Sequence, residues 1–121
     1  NRLEHFEIGI NQNHPPETQL VTLAHELAHI FLGHCGGDAK RGIKSNKPDS
    51  DDSLAVAEVE AETVAYLVAK RTGVSPRSES YLKNYQGAFQ DLDLHRILKV
   101  AGRIEKQLDL PFPEARFFNR A

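Results

Sequence analysis

The chain has 121 residues, 40% hydrophobic and 26% charged, which fits one globular domain with one modest core and leaves no room for two. Fifteen basic against seventeen acidic side chains give a formal net charge of -2, so net charge offers no argument for nucleic acid as a partner. No apolar run approaches the roughly 20 residues needed to cross a bilayer, and Asn1-Arg2-Leu3-Glu4-His5 lacks the charged-then-apolar pattern of a signal peptide, so a cytoplasmic protein with no membrane contact is expected. A single cysteine, Cys35, can form neither an internal disulfide nor a zinc ribbon, which leaves packing, or a metal held by other residues, to stabilise the chain. Methionine is absent, position 1 included, and this reads as a domain cut from a longer chain or a processed product.

Phe6, Ile8 and Ile10 alternate with Glu7 and Gly9, which predicts a half-buried strand over residues 4 to 10. Asn11 to Pro16 is a breaker cluster, and Pro16 followed by Glu17 suits the first turn of a helix. Its apolar positions Leu20, Leu23, Ala24, Leu27, Ala28 and Phe31 recur at spacings of three and four, and Gly33 ends it. From Gly36 to Ser53 the chain is polar, with a basic stretch (Lys40, Arg41, Lys44, Lys47) and an acidic one (Asp49, Asp51, Asp52); so long a loop predicts a mobile lid in preference to a disordered insertion. Asp51, Asp52 or Ser53 can cap a second helix over about Leu54 to Thr72, with Leu54, Ala57, Ala61, Val64, Ala65 and Val68 as its buried stripe and Gly73 as its end. Ser75-Pro76 opens a shorter helix through Tyr81 and Tyr85. Asp91 or Asp93 caps a last helix with apolar positions Leu94, Ile97, Leu98, Ala101, Ile104 and Leu108, and the tail beyond Leu110 is irregular. The domain is thus expected over 1–110, with 111–121 as a tail.

His25-Glu26-Leu27-Ala28-His29 is an H-E-x-x-H motif inside the strongest predicted helix. At about 100° per residue, His25 and His29 sit roughly 40° apart on one face, so both imidazoles can reach one Zn²⁺. Glu26, one residue further round, flanks that position, which suits a general base acting on a metal-bound water. A catalytic zinc usually takes three protein ligands and keeps one position open. In Ala57-Glu58-Val59-Glu60-Ala61-Glu62, Glu58 and Glu62 share a face one turn apart, whereas Glu60 lies about 200° from Glu58 and points away. Glu58 and Glu62 are therefore the candidates for the third ligand, and a cation would offset the cost of carboxylates beside a buried stripe.

HELAH followed by FLGH, and then a helix bearing Glu-x-Glu-Ala-Glu-x-Val-Ala, resembles the zinc metallopeptidase-like domain of the ImmA/IrrE family over roughly residues 17 to 70. The resemblance implies that Glu58 is the third zinc ligand, as in gluzincins, and that Glu62 stands where the family has an Asn or Asp that orients a zinc-binding histidine from behind. Val64 replaces the Phe of the family pattern, and Val68-Ala69-Lys70 replaces its Leu-Met-Pro. The later segment, Ser80 to Tyr85 and the helix to Leu108, is closer in layout to ArdC-type antirestriction proteins. The expected fold is accordingly α+β and mainly α, a minimal zincin-like domain whose N-terminal strand edges a small sheet able to take an extended peptide by β-augmentation. The implied activity is regulated, zinc-dependent cleavage of a protein partner such as a helix-turn-helix repressor, with any DNA contact made through missing domains. The ArdC-like features imply the alternative of a module binding single-stranded DNA.

His34 lies nine residues after His25, one short of the third metzincin histidine, so a role at the helix end or behind a ligand is expected instead. Cys35 reads as a small core residue. Tyr66, Tyr81, Tyr85, Arg71 and His95 can each stabilise an oxyanion, with Tyr85 or Tyr81 preferred, and the Lys40 to Lys47 stretch reads as solvated loop in preference to a phosphate-binding patch.

Overall fold

The computed structural model describes residues 13, 15–74 and 92–109, which form three α-helices: α1 (Pro16–Phe31), α2 (Asp51–Thr72) and α3 (Leu94–Gln107). The expected strand over 4 to 10, the helix through Tyr81 and Tyr85, and the tail lie outside the described residues. Within them the fold is mainly helical, with one isolated antiparallel bridge, Asp38 to Ile43, as its β structure.

Each helix starts and stops for a local reason. Pro16 occupies the first turn of α1, where a missing N–H costs nothing. The helix ends at Leu32, and Gly33 follows at φ 86°, a left-handed conformation that glycine alone adopts cheaply. Space demands glycine there too, because a Cβ on Gly33 would sit 2.0 Å from the Lys44 carbonyl oxygen. The cap of α2 is Ser50 rather than Asp51, Asp52 or Ser53, so the helix begins three residues earlier than its apolar stripe suggests. Ser50 Oγ accepts from the Ser53 N–H, and Ser53 Oγ accepts in return from the Ser50 N–H, a reciprocal capping box. Gly73, at φ 87°, closes α2. Asp93 caps α3 by accepting from the Arg96 N–H.

α2 packs against both α1 and α3, which also touch each other. The core gathers Ala24, Ala28 and Leu32 from α1 and its end, Ala61, Val64, Ala65 and Val68 from α2, and Ile97, Val100, Ala101 and Ile104 from α3. Alanines at the contact let α1 and α2 approach closely, since the distance between packed helices follows the size of the side chains between them. Leu54, assigned to the buried stripe of α2, is instead 50% exposed, and of the apolar positions of α3 Leu94 and Leu98 are exposed at 63% and 52%. On α3 the buried face runs through Ile97, Val100, Ala101, Ile104 and Glu105. Glu105, wholly buried, is held by the Arg71 guanidinium at 3.0 Å, a pairing that a buried carboxylate requires.

The segment expected as a mobile lid is tied down. A short 3-10 turn over Ala39–Arg41 is capped by Asp38, whose carboxylate accepts from the Lys40 and Arg41 N–H groups and pairs with the Arg41 guanidinium. Asp38 and Ile43 exchange backbone hydrogen bonds of 2.9 Å, Ile43 is buried, and Asn46 N–H donates to the Gly33 carbonyl. Backbone pairing and one buried isoleucine anchor the loop to the end of α1.

Candidate metal centre

His25 and His29 on α1 directly follow the buried Ala24 and Ala28, and Glu58 and Glu62 on α2 directly follow the buried Ala57 and Ala61. Four-residue steps on both helices therefore set four donors along one edge of the α1–α2 contact. His25 Nε2 lies 3.5 Å from Glu58 Oε1, and His29 Nε2 lies 3.3 Å from Glu58 Oε2. One ligand atom from each of His25, His29 and Glu58 falls within 4.8 Å of the others, a spacing at which a single ion could take all three.

His25 Nε2 is buried and has no hydrogen-bond partner among the described residues. An imidazole nitrogen left bare beside carboxylates is costly unless a cation stands between them. Two imidazoles and a carboxylate are also the donor types that suit zinc. The residues present thus fit the metal. Burial holds the His29 pKa below the usual histidine value, with Glu58 pulling the other way and His25 and His34 adding to the depression, so the imidazole favours its neutral, ligating form.

The other candidates divide clearly. Glu62 Oε1 approaches His25 at 3.5 Å, but at Nε2, the nitrogen that Glu58 also faces, rather than at the far ring nitrogen. Glu26 stands half-exposed at the rim, 3.8 Å from His25 Nδ1. Tyr81 and Tyr85 lie outside the described residues. Arg71 pairs with Glu105, Tyr66 lies under the Lys70 ammonium, and His95 is exposed on α3. Cys35, expected in the core, is exposed in the turn after α1.

His34 stands behind His29, one of the two places expected for it, while its further partners Glu60 and Arg96 are not foreseen from the sequence. The backbone N–H of His34 donates to the His29 carbonyl, which turns the chain back and sets the two rings 5.0 Å apart. His34 Nδ1 lies 2.8 Å from His29 Nδ1, and His34 Nε2 lies 2.8 Å from Glu60 Oε1. Glu60 Oε2 accepts from Arg96 on α3 at 3.0 Å, and Arg96 also donates to the Leu32 carbonyl. An ionised Glu60 facing Arg96 makes His34 Nε2 the donor, and a neutral His34 then accepts at Nδ1 from His29. That order leaves His29 Nε2 unprotonated on the side of Glu58. Glu60 does point away from Glu58, as the helical wheel requires, yet it is buried and holds this chain of partners together. His34→Phe or Glu60→Gln is expected to weaken zinc binding by about 10–100-fold, the usual cost of losing such support. Competition with a chromophoric chelator measures it, and unchanged affinity would mean that packing alone orients His29.

No curated protein and no solved structure matches the chain. The family described as IrrE N-terminal-like domain matches residues 4–69, more than half of the chain, a span that includes both motif helices up to Ala69. With the H-E-x-x-H helix and its facing glutamates in that span, the chain belongs to this ImmA/IrrE family of metallopeptidase-like domains.

Proposed function

We propose that the protein is a zinc-dependent endopeptidase that makes a regulated cut in a protein partner, such as a repressor with a helix-turn-helix domain. The observation that carries the reading is the convergence of His25, His29 and Glu58 beside a half-exposed Glu26, within a chain that belongs to a peptidase-type family. In this reading His25, His29 and Glu58 hold the metal, which when bound would acidify water and polarise the scissile carbonyl. Glu26 accepts the proton of the attacking water and returns it to the leaving amine. Its half-exposed position suits that task, since the base must meet both water and substrate. Glu62 keeps negative charge beside His25, and the His34–Glu60–Arg96 chain fixes His29. The resemblance to ArdC-type proteins rests in part on residues 80–85, outside the described residues, and adds no observation for DNA. No helix among the described residues is long and apolar enough to cross a membrane. We place the activity in the cytoplasm.

The test is incubation with a helix-turn-helix regulator encoded nearby. One defined cut, blocked by a chelator, is the expected result, with casein left intact. Degradation of casein would make the protein a general protease instead.

A further inference from the structure

Behind the metal centre, between the 42–46 loop and α3, lies a cleft of about 530 Å³. Among the described residues its walls carry Lys44, Arg96, Lys99 and Arg103 and no acidic residue, over an apolar floor that includes Phe31 and Val100. The chain as a whole is slightly acidic, so this positive concavity is made by folding and not by composition. Positions 96, 99 and 103 fall on one face of α3, and Gly33 brings Lys44 to that face by admitting the loop.

Both arginines are already fixed. Arg96 is spent on Glu60 and the Leu32 carbonyl. Arg103 donates to the Arg41 carbonyl at 2.7 Å and lies 4.3 Å above the Phe31 ring. Lys44 and Lys99 are exposed, and neither has a carboxylate partner among the described residues. Like charges gathered in a concave site focus a positive potential, which an anion relieves, and held guanidiniums cost little further entropy to use.

We propose that this cleft binds a small phosphomonoester, its phosphate taken by Lys44, Lys99 and Arg103 and its organic part resting on the apolar floor. A phosphate offers three charged acceptor oxygens to three cations, and ammonium and guanidinium groups are its usual protein partners. A bare phosphate would leave most of the volume empty, because clefts of this size hold whole small molecules. The site shares Arg96 with the support behind His29 but contains none of the proposed metal ligands, and it does not rest on the peptidase reading.

Calorimetric titration with adenosine 5′-monophosphate, glucose 6-phosphate, inorganic phosphate and adenosine tests it on the purified protein. At least one phosphomonoester should bind at one site, more tightly than inorganic phosphate and more weakly as salt rises, while adenosine should not bind. Which ester binds identifies the organic part. Lys44→Glu and Lys99→Glu, both at exposed positions, should each weaken binding by about tenfold or more. Lys40→Glu, outside the cleft, and Glu58→Gln, at the metal centre, should leave it unchanged. No saturable binding of either ester up to about 10 mM would overturn the proposal. So would equal binding of adenosine, indifference to Lys44→Glu and Lys99→Glu, or loss of binding in Glu58→Gln, which would put the phosphate on the metal.

Discussion

Glu26→Gln should keep the fold and the metal and lower peptide hydrolysis by about 10²–10⁴-fold, the usual contribution of a general base. Glutamine preserves the shape of the side chain but cannot accept the proton of the attacking water. Among the described residues the ion partner of Glu26 is His25 at 3.8 Å, a loose pairing, and Glu26 is half-exposed, so the substitution removes little that the described core depends on. The same variant should still bind its substrate and would therefore trap it. Cleavage at the wild-type rate, read on a gel or by mass spectrometry, would mean that another base operates.

The second large effect is expected at the third ligand. Glu58→Gln should weaken zinc binding by more than about a hundredfold, because losing a ligand exceeds the 10–100-fold cost of losing a residue behind one. Glu62→Gln should cost less. Both carboxylates stand 3.5 Å from His25 Nε2, but only Glu58 also reaches His29, at 3.3 Å, so its two oxygens bridge the pair of imidazoles. Competition with a chelator ranks the two variants. The reverse order would exchange their roles.

Much of this centre is legible in the sequence, because helical periodicity alone puts His25 next to His29 and Glu58 next to Glu62. The step of four also places each donor one residue after a buried alanine, which is how two helices known only as patterns come to share an edge. The helical wheel gave the direction of Glu60 but not its destination. Its partners, His34 and Arg96, come from the turn after α1 and from α3, and no local pattern joins positions 34, 60 and 96. For the same reason the apolar spacing of α3 does not separate Leu94 and Leu98 from its buried positions: α3 docks through a face that includes the charged Glu105, whose partner Arg71 lies on another helix. Ser50 was overlooked as the cap of α2 because Asp-Asp-Ser offered three competing caps, and the reciprocal bonds of Ser50 with Ser53 decide among them. The loop after Gly36 read as mobile from its polarity, while its anchors, Ile43 and the close approach at Gly33, are single residues that composition averages away.

The most direct test of the central claim is the metal content of the purified protein, by elemental analysis, beside that of His25→Ala. The account predicts about one zinc per chain in the wild type, from two imidazoles and one carboxylate converging from α1 and α2, and its loss in His25→Ala with helical content retained by circular dichroism. Iron or manganese in place of zinc would change the metal and keep the site. No metal after mild purification, and none taken up on titration with zinc, would contradict the account.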